Sequence, residues 1–192
     1  MKLVCTALVF ITAGLMAQEA APPQPPKVEE VVVVTASRTE QHVHEVPAAV
    51  SVITAEDIAH MPADDYGDLL RNVPGLNVTQ ISARDVQVTG RSATGSLSTS
   101  QLVLLDGRTL YLDFFGFVMW DFLPVNFGEI KQIEVVQGPG SAVWGANAMT
   151  GVINLITKRP KEMTGTTVTL GAGELGTLLG SVTHAGARDR WG

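Results

Sequence analysis

His42 and His44 stand one residue apart. On an extended strand alternate side chains share a face, so the pair could offer two imidazoles to a transition metal. No third ligand lies nearby, and Glu40 and Glu45 read equally well as solvated charges. Surface histidines in a linker are therefore expected, and no metal site. The passage Gly138-Pro139-Gly140-Ser141-Ala142-Val143-Trp144-Gly145 invites comparison with a phosphate-binding loop, but no Gly-Lys-Ser/Thr follows it and the glycines lack the dinucleotide spacing. A turn that lets backbones approach closely is the better reading. A third group, Asp113, Asp121 and Glu129, flanks the run Phe114-Phe115-Gly116-Phe117-Val118-Met119-Trp120. Exposed aromatics beside carboxylates can form a ligand surface, or they can pack against something outside the chain. No nucleophile elbow, zinc-protease helix motif or calcium loop occurs, so the sequence offers no catalytic residue and requires no cofactor.

Composition narrows the setting of these residues. The 192 residues carry 13 Lys plus Arg against 19 Asp plus Glu, a net charge of -6. Scattered positive charges on an acidic chain give no footprint for a phosphate backbone, which argues against nucleic acid as a partner. The 19 glycines and 10 prolines, with only 6% aromatic residues, point to a turn-rich, β-rich chain and against helical bundles. Residues 1–17, MKLVCTALVFITAGLMA, combine a Lys, an apolar run and a small residue at Ala17. This reads as a secretory signal peptide, because the run is shorter than the ~20 residues a spanning helix needs. The one cysteine, Cys5, falls inside it, so the exported chain must hold its fold without disulfides. Residues 18–29, rich in Pro, Ala and Glu, suit a flexible linker.

The elements that must position any site follow in order. Val31-Val32-Val33-Val34-Thr35 is a β-branched run that favours extended backbone. On a tether it could add to the edge of another protein's sheet, or it could be the first strand of this domain. Ala49 to Ile53 suits a strand, and Thr54 with Asp57 resembles a capping box opening a short helix that ends before Pro62. A second helix fits Asp65 to Asn72, with Arg71 in its last turn, Pro74-Gly75 as the stop, and Leu69, Leu70 and Val73 buried. Val86-Gln87-Val88 alternates, a polar loop runs from Gly90 to Gln101, and Leu102 to Leu105 suits a buried strand. Asp106-Gly107 is a hairpin turn, with Arg108 to Leu112 returning. Ile130 to Val136 is a further strand, where Ile133 and Val135 alternate with Gln132 and Glu134, and Gly151 to Thr157 is another. Thr166 to Ala172 and Thr177 to Ala185 alternate around a turn at Glu174 to Gly176. They have about the length of transmembrane β-strands, and a soluble hairpin fits as well.

The succession EEVVVVTASR, PAAVSVITAEDI, DLLRNVPGLNV, LVLLDGRTLY and EIKQIEVVQGPGSAVWGANAMTGVINLITKRP resembles the plug domain of TonB-dependent outer-membrane receptors, in order and with family spacing. The resemblance implies an α+β fold over residues 45–160, a small mixed sheet with short helices and long loops. At 163–192 it implies the first two strands of a truncated transmembrane β-barrel. A barrel of about 22 strands at ~10 residues each needs about 220 residues in strands alone, so a fragment of a longer receptor is expected. Such receptors take up scarce ligands, such as ferric siderophores or cobalamin, across the outer membrane. Within residues 30–38, the segment Glu30, Val31, Val32, Val33, Val34, Thr35 and Ala36 looks like the TonB box. It would face the periplasm and pair by strand addition with TonB, which is served by an inner-membrane energy-transducing complex.

The resemblance also implies ligand contacts at the plug apices, at Ser92, Thr94, Ser96, Ser98, Gln101, Phe114, Phe115, Phe117 and Trp120. Plug–barrel polar contacts are implied at Arg91, Glu134 and Gln137. Many family members carry Arg at the positions of Thr89 and Gln137, whereas here Arg91 is displaced and Gln137 is neutral. Either a different polar network or a weaker contact is expected, since a neutral hydrogen bond has about half the strength of a charge-assisted one. The rival expectation is a soluble periplasmic binding or adaptor module that uses the plug fold without a barrel.

Overall fold

Five strands of the chain meet in one mixed sheet. The computed structural model describes residues 32–33, 41–42, 48–82, 85–90, 100–110, 112, 117–173, 176 and 178–187. Two dipeptides, β1 (Val32–Val33) and β2 (Gln41–His42), pair antiparallel ahead of the sheet. The sheet itself contains β3 (Ala49–Thr54), β6 (Gln101–Leu105), β7 (Arg108–Thr109), β8 (Ile130–Gln137) and β9 (Gly151–Thr157), in the order β3-β8-β9-β6-β7. β6 and β9 run parallel, with Val103 opposite Ile153, and the remaining neighbours are antiparallel. A hairpin cannot join parallel strands, so the long connection from residue 106 to residue 150 is a topological requirement.

Local rules account for the joints. Asp106 and Gly107 have φ of 50° and 77°, both central positions of a tight hairpin turn whose twist matches its strands. The Asp106 carboxylate then accepts from Thr157 N–H at 2.9 Å and from Thr157 Oγ1 at 2.8 Å, tying this turn to the end of β9. Thr54 caps α1 (Ala55–His60): its hydroxyl accepts from the Asp57 amide, and the Asp57 carboxylate accepts from the Thr54 amide. Asp65 caps α2 (Tyr66–Leu70) by accepting from the Asp68 amide at 2.9 Å. This helix stops earlier than the sequence pattern suggests, with Arg71 as its C-cap.

Both helices bury their apolar side against one face of the sheet. Ile58, Tyr66, Leu69 and Leu70 join Ile53, Ile133, Val135, Ile153 and Leu155 in the main core. β4 (Leu76–Ser82) and β5 (Asp85–Gly90) form a separate hairpin against α2. The approach is so close that a Cβ on Gly67 would stand 2.5 Å from Val86 Cγ1. On the sheet's other face Leu102, Leu104, Val136, Val152 and Ala148 form a smaller cluster, packed by Val50 and Trp144. The glycine-rich passage supplies that cover as a turn and a single helical turn, α3 (Ser141–Trp144), with Gly140 N–H donating to Ala148 O at 2.8 Å.

Orientation is legible in the alternating strands, but exposure is not. Gln87 and Thr89 of β5 are each 4% exposed, and Glu134 of β8 is 0% exposed. A period-two pattern leaves one face wet only where nothing covers it, and here both faces are covered. These three residues are paired: Gln87 Nε2 donates to Asp85 at 2.9 Å, Thr89 Oγ1 to Asn77 O at 3.3 Å, and Gln132 Nε2 to Glu134 at 2.7 Å.

Beyond a 3-10 turn at Pro160–Glu162, β10 (Gly165–Ala172) and β11 (Leu178–Ala185) pair along their whole length, from Gly165 with Ala185 to Ala172 with Leu178. Val168, Leu170, Leu178 and Val182 share one face of this hairpin and are 58–82% exposed. Thr167, Thr169, Ser181 and Thr183 share the other, and Thr183 Oγ1 donates to Glu129 of the preceding domain at 3.1 Å. No helix among the described residues is long and apolar enough to cross a membrane, which says nothing of strands.

Candidate functional site

A cleft of about 250 Å³ opens between the start of β5 and residues 117–122. Its geometry begins with a bridge in which Leu112 N–H donates to Phe117 O at 3.1 Å, closing the chain on itself. The 3-10 turn Trp120–Phe122 follows and separates its aromatics. Trp120 turns inward, 5% exposed, while Phe122 turns outward, 74% exposed. Tyr66 holds Trp120 from below, with ring centroids 6.0 Å apart, and meets Phe127 edge-on at 5.0 Å. The Tyr66 hydroxyl donates to Val125 O at 2.5 Å. Burial, with a smaller contribution from the charge of Glu129, pushes this phenol up to about 12, so it is a neutral, fixed donor at ordinary pH. Asp85 and Asp121 stand on the cleft's rim beside Phe117 and Met119. The arrangement can receive an apolar or planar ligand surface against aromatics and a thioether, with carboxylates to meet donors or cations. It contains no nucleophile paired with a base.

Residues 42–152 match the TonB-dependent Receptor Plug Domain family. The chain belongs to this family. It is 38% identical over 148 residues to the vitamin B12 transporter BtuB of Vibrio vulnificus, covering 75% of this chain and 23% of that protein. With the vitamin B12 transporter BtuB of Photobacterium profundum the identity is 33% over 165 residues, covering 85% of this chain and 27% of that one. The chain thus spans about a quarter of the length of these curated relatives. Among solved structures, the alcaligin outer-membrane receptor FauA of Bordetella pertussis superposes with a TM-score of 0.62 at 22% identity, over 79% of this chain and 25% of that chain. That likeness concerns the fold alone. The expected α+β plug is the fold observed, and β10 and β11 follow it as a separate two-stranded antiparallel hairpin.

Within this plug the residues singled out from sequence are dispersed. Phe117 is half-buried and lines the cleft. Trp120 is buried in the core against Tyr66, because the 3-10 turn carries it inward, and it still lines the cleft, whose exposed aromatic is Phe122. Sequence reading passed over Phe122, since the aromatic run it marked ends at Trp120. Gln101 is corrected, from the end of a polar loop to the first residue of β6, 2% exposed. Glu134 is buried by the chain itself, opposite Asn154 in the sheet, so it does not present a carboxylate to an outer wall. Gln137 Nε2 donates to Pro74 O, so this neutral residue ties the end of β8 to the turn after α2. Ser92, Thr94, Ser96, Ser98, Arg91, Phe114 and Phe115 lie outside the described residues, as do His44, Glu30, Val31, Val34, Thr35 and Ala36. Val32 and Val33 of the expected TonB box form β1, paired with His42 and Gln41. Among the described residues no group of side chains has the makings of a metal site.

Proposed function

We propose that this plug serves an outer-membrane receptor that imports a scarce, bulky ligand of the cobalamin or ferric-siderophore kind with energy delivered by TonB. The role is transport rather than catalysis. Residues 1–17 act as the export signal, 18–29 as a linker, 30–38 as the TonB-binding segment, 45–160 as the plug, and 163–192 as the start of the barrel. Glu30 to Ala36 would add as a strand to TonB on the periplasmic side, with main-chain hydrogen bonds supplying affinity. Ligand would meet the plug at the cleft of Phe117 and Phe122 and at Ser92, Thr94, Ser96 and Ser98. Relatives that are named vitamin B12 transporters favour a cobalamin-type cargo.

The observation that carries this reading is the hairpin. β10 and β11 follow the plug directly, with a hydroxyl face toward it and an apolar face outward. Alternation of lipid-facing and lumen-facing residues is what a membrane barrel stave requires. A soluble adaptor would leave Val168, Leu170, Leu178 and Val182 in water, and full burial of such side chains is worth roughly 1.5–3 kcal/mol each. The test is uptake by the full-length receptor in cells lacking their own cobalamin and siderophore receptors, with labelled cyanocobalamin and ferric enterobactin as probes. Uptake of one probe should occur, and deletion of Val31 to Thr35 should abolish uptake while leaving surface binding intact. Undiminished uptake by the deletion variant refutes the TonB assignment, and binding of neither probe refutes the cargo assignment.

A further inference from the structure

Thr183 of β11 is half-buried, and its hydroxyl donates to Glu129 Oε1 at 3.1 Å. This bond joins the hairpin to the plug beside a gap of about 280 Å³, lined by Ser181 and Thr183 from the hairpin and by Asn126, Gly128 and Lys158 from the plug. The direction of the Glu129 carboxylate is set within the plug. The Asn126 amide donates to its Oε2 at 3.3 Å and Asn126 Nδ2 to its Oε1 at 3.2 Å, a cap on the 3-10 turn Phe127–Glu129. The main chain of that turn is held from the end of β9, where the Lys158 amide donates to Glu129 O at 2.8 Å and Lys158 Nζ to Gly128 O at 2.8 Å.

One residue before Asn126, Val125 O accepts the Tyr66 hydroxyl at 2.5 Å, so α2 grips the segment just ahead of the cap. The same ring meets Phe127, inside the turn, edge-on at 5.0 Å, and Trp120, inside the cleft, at 6.0 Å. Tyr66 therefore touches the stretch from the cleft to Glu129 at its beginning, at Val125 and at Phe127. Pro124 lies between the first two of these contacts and removes a soft dihedral there. Packing alone would be met by phenylalanine, which makes both ring contacts without burying a hydroxyl.

We propose that Tyr66 is a positioning residue: through Val125 and Asn126 it aims the Glu129 carboxylate at Thr183, and through its ring it ties that plug–hairpin contact to Trp120 in the cleft. The two states of the device are the Glu129–Thr183 bond made and broken. A change at the cleft shifts the balance between them, because both ends bear on one side chain. What the link serves rests on the transport reading, in which a cargo at the cleft alters the plug's hold on the barrel wall. The link itself does not rest on that reading, and its test uses no cargo, so the two stand or fall separately.

The experiment is the rate of maleimide labelling of Ser181→Cys, whose thiol lines the gap, in the full-length receptor in detergent micelles with any other cysteine replaced by serine. In that background Thr183→Val should speed labelling about fivefold, the effect of losing one net hydrogen bond, while Thr183→Ser, which keeps the hydroxyl, should label as the parent does. Tyr66→Phe should match Thr183→Val, and the two together should label no faster than the faster single variant, since both act on the same bond. Trp120→Leu, which keeps the position apolar but removes the ring contact, should also speed labelling, with no further gain from Tyr66→Phe. Val152→Ala, which weakens the cluster on the sheet's other face, should leave the rate unchanged, and low urea should hardly alter it, because a local opening exposes little surface. Unchanged labelling in Tyr66→Phe overturns the positioning role, and unchanged labelling in Trp120→Leu overturns the tie to the cleft. Fold-changes that multiply in the double variant, or faster labelling in Val152→Ala, make Tyr66 a stabiliser of the plug as a whole and overturn the proposal equally.

Discussion

Two aromatics two residues apart should respond in opposite ways to truncation. Trp120 is 5% exposed and sits against Tyr66, so Trp120→Ala removes nearly a whole buried indole. An aromatic side chain buries up to ~250 Å², worth about 6 kcal/mol at ~25 cal/mol per Å² as an upper bound. Truncations of this kind cost about 3–5 kcal/mol once the surroundings relax. Phe122 is 74% exposed, so its ring hides only about 50 Å² and Phe122→Ala should cost about 1 kcal/mol or less. Urea unfolding at pH 7, followed by far-ultraviolet circular dichroism so that loss of a tryptophan does not alter the probe, separates the two. If the variants lose similar stability, or if Trp120→Ala stays within about 1 kcal/mol of the parent, the inward turn of Trp120 is wrong, and with it the account of the cleft's floor.

Three further perturbations follow from particular contacts. Gly67→Ala gains about 1 kcal/mol of helix propensity, but its Cβ would meet the buried, branched Val86 at 2.5 Å. Overpacking costs about 1–3 kcal/mol, so the variant should be net destabilised in the same urea assay, and pairing it with Val86→Ala should cost less than the two changes summed. Tyr66→Phe should lose about 1–2 kcal/mol at pH 7 by leaving the Val125 carbonyl without its donor. Because the folded state holds the phenol proton up to about 12, against 10 ordinarily, the stability tied to neutral Tyr66 is full below pH 10. It is lost as pH rises from 10 toward 12, an alkaline fall that Tyr66→Phe should remove. At the other end of the scale, the hydroxyl and then the amide of Thr54 hold the Asp57 carboxyl below its ordinary value of 3.8. That contribution is present above the ordinary value and disappears as pH falls through the lowered one, so the denaturation curves of the parent and Thr54→Ala should converge in acid.

Much of the plug follows from short-range chemistry. The Thr54–Asp57 box, the Asp65 cap, the Asp106-Gly107 turn and the full-length pairing of β10 with β11 each depend on residues within a few positions of one another or on strict alternation. For that reason they are written in the chain. The family, too, is carried by an ordered set of such segments, and residues 42–152 match it.

Burial belongs to the tertiary structure. Glu134 stands in a strand whose pattern gives its direction, but whether that direction is wet depends on a layer contributed from far along the chain. The same holds for Trp120, which the sequence places in an aromatic run and the packing of Tyr66 draws into the core. Local sequence determined where the chain turns, caps and extends, and which way each strand's residues point, because those depend on sterics and nearby hydrogen bonds. Only the folded layers decided which polar groups are sealed in and which aromatic is left exposed, because desolvation is set by everything that surrounds an atom and not by its neighbours in sequence.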